Sequence, residues 1–190
     1  RGRLQRGACA PPRLGRLLMW WLLFRLMFES GVVKLRGFDA AGRNAWLDGT
    51  ALDFHYFTQP IPAWTSWWAA QLPHWFQAAC IAAVFFIQLV LPLAIVGPRR
   101  LRMTAFWGFV VLMILILLSG NYGFFNLLAL ALCVSLVDDA SWPAPLRRLL
   151  GNSGAARPPG PAQKLQRLVL PWFASAALFA TTLQLLLVLR

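Results

Sequence analysis

Acidic residues are scarce in this chain. Six Asp and Glu stand against 18 Lys and Arg in 190 residues, for a formal net charge of +12. Charged residues make up 13% of the chain, where a soluble domain carries roughly a quarter. That shortage excludes an ordinary solvated globule. Cysteines are few and scattered, at Cys9, Cys80 and Cys133. Their scatter offers no obvious disulfide framework and no metal-ligand spacing. No Asn-x-Ser/Thr sequon occurs, so nothing requires glycosylation. No spacing in the chain implies a cofactor.

Apolar residues are abundant instead: 59% of the chain, with mean hydropathy +0.60. They fall in long blocks and not in fine alternation. Only structures that close their own backbone hydrogen bonds cross lipid, so the blocks read as helices. The expected fold is all-α: a polytopic transmembrane bundle of about five spans plus a short interfacial helix. Such a strong positive charge also fits nucleic-acid binding. That reading fails here, because the Lys and Arg cluster at the ends of apolar runs, where membrane topology places them.

In chain order, residues 1–16 form a basic lead-in with five arginines. Leu17–Leu35 is a first span whose interior carries Arg25 and Glu29. Four residues apart, the two share one helix face, and at that depth each charge needs the other. The bland reading is a structural ion pair; the functional one turns Glu29 toward a polar cavity. Trp75–Val96 is the clearest span, with Gln88 inside it and Pro92 expected to kink it. Leu101–Leu118 follows, then a tight turn at Gly120, Asn121 and Gly123. Phe124–Val137, carrying Asn126 and Cys133, is short for a span, so neighbours or a thinner bilayer must help it. Asp138 and Asp139 oppose the helix dipole at its end, which calls for compensation from the Ser141–Pro143 turn, Arg147 or Arg148. A Pro/Gly/Arg-rich loop (143–167) leads to a last span, 168–190, and the chain reads as an excerpt of something longer.

The stretch that organises the chain is Trp46-Leu-Asp48-Gly-Thr-Ala-Leu-Asp53-Phe-His55-Tyr-Phe-Thr-Gln59-Pro60-Ile-Pro62. With Asp39 it gathers half of the acids. It is too polar to cross a bilayer and too aromatic for a plain loop. An extended backbone would set Asp53 and His55 on one side, where a carboxylate orients an imidazole for acid–base work. The alternative is structural, with Asp48 and Asp53 as turn or cap residues. Beyond Pro62, Trp64, Trp67 and Trp68 lie on one stripe of a helix over 62–72, too short to span and suited to the headgroup layer.

Charge orients the bundle. The lead-in, the turn at Arg99 and the segment 138–167 hold five, three and five Lys/Arg. The intervening loops hold three (Lys34, Arg36 and Arg43) and none. The first set therefore faces the cytoplasm, and loop 37–74 is exoplasmic together with the turn at Gly120.

The runs Trp20-Trp-Leu-Leu-Phe-Arg25, Gly31-Val-Val-Lys34-Leu-Arg36-Gly, Trp46 through Pro62, Ser119-Gly-Asn121-Tyr-Gly-Phe-Phe-Asn126 and Asp138-Asp139 together resemble the lipase maturation factor family across roughly residues 17–142. The Asp53–Pro62 run is the most specific part. The resemblance implies a multi-pass protein, of the endoplasmic reticulum membrane in eukaryotic relatives, that assists folding and assembly of secreted lipases and is not regarded as an enzyme. The Arg, Ala, Leu and Pro bias points to a bacterial member, which would place it in the inner membrane.

Three functions compete. The leading one is a chaperone-like factor that presents Trp46, Asp48, Asp53, His55, Gln59, Pro60, Trp64 and Trp68 to a lipase or other exported client, with the lipid bilayer as its other partner. The second is a membrane enzyme using Asp53, His55 and Glu29 on a lipid or exported substrate. The third, a small-solute transporter, is weakened by the lack of an internal repeat. The orientation itself is testable. In a cysteine-free background, Gly49→Cys is expected to react with an impermeant thiol reagent added on the exoplasmic side and Ser153→Cys is not; the reverse pattern overturns it.

Overall fold

The computed structural model describes residues 13–59, 61–120, 122–138, 142–144 and 161–189. Residues 1–12, Pro60, Asn121, 139–141 (with Asp139), 145–160 (with Arg147 and Arg148) and Arg190 lie outside the described residues, as do the expectations that fall on them. Among the described residues every regular element is a helix: α1 (Arg13–Leu35), α2 (Ala51–Thr58), α3 (Trp64–Ala70), α4 (His74–Phe85), α5 (Arg99–Ser119), α6 (Phe124–Val134) and α7 (Pro161–Leu189). Two are long and apolar enough to cross a membrane: α4 with its continuation, His74–Val96, and α5. Phe124–Val134 and Ala174–Leu189 are shorter apolar helices. The 23 residues of α1 have the length of a span but include Arg25, Glu29 and Lys34.

Pro73 and Pro98 stand immediately before α4 and α5 with extended ψ, where the missing N–H costs nothing. Pro92 sits where the helix changes its winding. It has no N–H to give the carbonyl one turn back. Past Phe85 the helix winds wide over Phe86–Val90, then tight over Leu91–Val96. The proline is absorbed by a change of winding.

Inside lipid, apolar burial drives no helix association, so close packing and polar contacts must hold the bundle. Its core collects Leu23 and Met27 of α1, Ile95, Phe109 of α5, and Ala129 and Cys133 of α6. Small residues let backbones approach. A Cβ at Gly108 would meet Leu91 Cδ1 at 2.3 Å, and one at Gly31 would meet Leu89 Cδ2 at 2.6 Å.

Polar contacts show how the helices run. Trp21 Nε1 donates to Thr181 Oγ1 at 3.0 Å and Arg36 donates to the Leu189 carbonyl, so α1 and α7 run parallel. Trp20 Nε1 donates to the Ser135 carbonyl at 3.0 Å, which brings the start of α1 to the end of α6. There, Arg102 in the first turn of α5 grips both Asp138 oxygens at 2.8 and 2.7 Å, donates to the Leu136 carbonyl at 3.1 Å and lies over Trp20 at 5.0 Å. Arg99 adds a contact at 3.5 Å. Among the described residues, compensation for Asp138 comes from α5, a distant segment; Ser141, Arg147 and Arg148 lie outside them.

Arg25 and Glu29 pair as their spacing requires, with Nε and Nη2 at 2.7 and 2.5 Å from Glu29 Oε1. Arg25 is buried and the Glu29 side chain is 21% exposed. Glu29 borders a shallow open cleft of about 360 Å³ lined by Leu26, Ser30, Val33 and Lys34. Gln88 and Asn126 are buried among the helices. Glu29→Ala leaves Arg25 unpaired and is expected to cost roughly 3–5 kcal/mol. Replacing the pair together, with Arg25→Met and Glu29→Leu, is expected to recover most of that in detergent thermal-unfolding scans. Equal losses from the single and double variants would show that the charges do more than neutralise each other.

Candidate functional site

The organising stretch forms a platform across one end of the bundle. It begins where α1 stops. The Asn44 amide donates to the Lys34 and Leu35 carbonyls at 2.9 and 3.0 Å, while its oxygen accepts the Trp46 N–H at 3.0 Å. A buried Asn44 thus caps one helix and starts the next turn. Gly49, with φ of +75°, carries the backbone through a left-handed turn that other residues resist.

Residues 51–58 then form helix α2, not an extended strand. The change follows from burial: Ala51 and Leu52 pack on Ile81 of α4, with Trp46, Tyr56 and Phe85 around them. A helix also changes the site. Residues two apart on a helix point to different sides, so Asp53 and His55 do not form a couple. Asp53 sits in the first turn of α2, where a carboxylate suits the dipole. It meets His74 Nδ1 at 3.2 Å, across 21 residues of sequence. His55 turns to the α5–α6 connection, where its ring stacks on Tyr122 at 6.4 Å and Nε2 lies 3.3 Å from the phenol oxygen. Trp46 is tilted against the same imidazole at 6.4 Å and has the Lys34 ammonium over its own ring at 5.1 Å. Asp48 is exposed in the turn over 45–49, and the capping bonds nearby come from Asn44 and from Asp39, whose carboxylate accepts the Ala41 and Arg43 N–H groups at 2.9 Å.

Gln59 was expected on the partner-binding face, but it is buried and points inward. Its amide donates to the Ser119 carbonyl at 2.5 Å, to Ser66 Oγ at 3.0 Å and to the Tyr56 carbonyl at 3.3 Å. Ser66 in turn donates to Ser119, and Thr65 donates to Leu118. These side chains answer the last carbonyls of α5, which otherwise lack partners. Pro62 and Gly120 complete the junction with an antiparallel bridge. Gly120 is extended, so its requirement is space: a Cβ would sit 1.8 Å from Gln59 Oε1. The left-handed position is Gly123, at φ +62°. Pro60 and Asn121 lie outside the described residues.

The outward face of the platform is aromatic. Helix α3 covers Trp64–Ala70, and Trp64, Trp67 and Trp68 are 80%, 55% and 62% exposed. Glu29, Asp53 and His55 are held by three separate partners, Arg25, His74 and Tyr122. Among the described residues no group of three His, Cys, Asp or Glu side chains comes together. Sequence reasoning missed His74, Tyr122 and the Thr65–Ser66 pair, because their partners are distant in sequence and no spacing announces them.

Burial pushes the His55 imidazole below its ordinary value of 6.5, and the Lys34 charge pushes the same way. The folded state therefore prefers neutral His55. Its contribution to stability is full above pH ~6.5 and is lost as pH falls toward the lowered folded value. Melting temperatures from pH 8 to 5 are expected to drop less for His55→Gln than for the parent; parallel curves would show that this imidazole is not linked to folding. Gly120→Ala is expected to cost roughly 1–3 kcal/mol by overpacking against Gln59. Gln59→Gly in the same chain makes room but leaves the Ser119 carbonyl short of a donor, so recovery in the same unfolding assay is expected to be partial.

The pattern of a known family covers this architecture: residues 3–144 match the lipase maturation factor transmembrane domain. Curated proteins agree. Lipase maturation factor 2 of Xenopus tropicalis is 52% identical over 120 residues, 63% of this chain and 16% of that protein. Lipase maturation factor 2 of Homo sapiens is 45% identical over 136 residues, 71% of this chain and 19% of that protein. Lipase maturation factor 1 of Mus musculus is 31% identical over 129 residues, 66% of this chain and 22% of that protein. The chain spans less than a quarter of the length of these relatives. No solved structure matches. The matched residues hold helices α1–α6 and the platform on their end, and the chain belongs to the lipase maturation factor family.

Proposed function

We propose that this chain is the membrane domain of a factor assisting the folding or assembly of exported proteins, with secreted lipases as the client class its relatives' name indicates. It crosses the membrane five times, through α1, α4 with its continuation, α5, α6 and α7. The platform over residues 37–74 faces the exoplasmic side and meets the client. The observation that carries this reading is the nature of the platform. It exposes a broad aromatic surface, while Gln59, Ser66 and Thr65 spend their hydrogen-bonding groups on the end of α5 beneath. A surface that is rigid, apolar and aromatic suits partially folded chains, whose own apolar segments seek burial. Support against chemistry comes from Asp53, His55 and Glu29, which engage three separate partners, His74, Tyr122 and Arg25.

Chaperone-like and catalytic roles separate under conservative substitution. Co-expressed with a secreted lipase in cells lacking their own factor, Asp53→Asn and His55→Gln are expected to keep most of the rescued lipase activity. Trp64→Ala combined with Trp68→Ala is expected to lose more. A well-inserted His55→Gln protein that loses function a hundredfold or more, on the order expected for a missing acid or base, would overturn the reading in favour of an enzyme.

A further inference from the structure

Helix α6 is short, and both of its ends are pinned. Its 11 residues rise about 16 Å. Beyond Val134, Ser135, Leu136 and Val137 donate three residues back to Leu132, Cys133 and Val134 at 3.0, 2.9 and 3.1 Å. Tight winding of this kind adds at most about 6 Å. The apolar strip of α6 is therefore roughly 22 Å tall, against about 30 Å for an average hydrocarbon core.

Sliding or unwinding does not make up the difference. At one end Asp138 is gripped by Arg102 through two short bonds, with Arg99 beside it. At the other, the connection ahead of α6 is fastened to the platform by the Pro62–Gly120 bridge and by Tyr122 on His55. The neighbouring stretch of α5 between Arg102 and Ser119 rises about 26 Å, which also falls short of an average core.

The outer face of α6 is apolar throughout. Leu127, Leu128, Ala131 and Val134 are exposed, while Asn126, Ala129, Leu132 and Cys133 turn inward. The exposed row carries no hydrogen-bonding side chain, which suits acyl chains as its occupant. It also lies within the matched transmembrane-domain region. We propose that the α5–α6 face selects a thin lipid annulus, made of phospholipids with short acyl chains, some 4–8 Å thinner than an average bilayer. This inference rests on membrane insertion and not on the client reading above.

Lipid mixtures test it directly. In a background with Cys9, Cys80 and Cys133 replaced by Ala, a fluorophore is placed on Ala131→Cys of α6, an exposed position. A second protein carries it on Phe86→Cys, which is exposed in the α4 continuation. Each is reconstituted in an equal mixture of phosphatidylcholines with chains of roughly 14 and roughly 20 carbons, with one or the other brominated. The α6 label is expected to be quenched at least about twofold more by the short brominated lipid, and the Phe86 label equally by both. Equal quenching of the α6 label by the two lipids overturns the proposal. So does the absence of quenching by either, which would mean that a second copy or another protein surface covers α6.

Discussion

A helix that stops leaves its last carbonyls without intrahelical partners, and where those ends are covered by protein the donors must come from side chains or neighbouring backbone. The platform of this protein depends on how those carbonyls are answered at one end of the bundle. Asn44 donates to the end of α1, and Gln59, Ser66 and Thr65 donate to the end of α5. These bonds satisfy the helices and also fix the connecting segment onto them. The aromatic surface of α3 is held in place because its inner face is committed to this junction.

The opposite end is organised by charge. Arg102 answers a carboxylate, a helix-terminal carbonyl and an indole face at once. Arginine suits this position because its planar, always-charged fork makes several directed contacts that a lysine ammonium makes less well. Three helices, α1, α5 and α6, meet at that side chain. The two ends thus differ in emphasis: amides and hydroxyls answer the helix ends under the platform, with Asp53–His74 and Lys34–Trp46 beside them, and an ion pair with its aromatic neighbour holds the base. Between them the helices pack through small residues and aliphatic side chains, as membrane bundles do.

That division separates the two roles the polar residues play. Glu29 and Arg25 neutralise each other within α1, and Asp53 and His74 tie α2 to α4. His55 belongs to an aromatic junction with Trp46 and Tyr122. Of the groups that looked like candidates for chemistry, Asp53 and His55 link separate elements and Glu29 pairs within its own helix. What the platform leaves exposed is the face of Trp64, Trp67 and Trp68 and the solvent side of the Asp48 turn.

Much of this was legible in the residues alone. Long apolar blocks with few charges dictate helices, the i,i+4 spacing of Arg25 and Glu29 dictates their pairing, and the Trp46–Pro62 run marks the segment of interest and its family. These features are local, set by periodicity, composition and neighbours within one helical turn. What only the tertiary structure decided is which distant groups meet. Periodicity gave no reason for a helix at 51–58 until α4 offered Ile81 as a packing surface. Nothing near Asp138 points to Arg102, nothing near Asp53 points to His74, and nothing near Gln59 points to Ser119. A polar group inside or beside a membrane bonds to whatever donor or acceptor the packed helices bring within reach. That choice depends on helix length, order and crossing, which no stretch of sequence carries by itself.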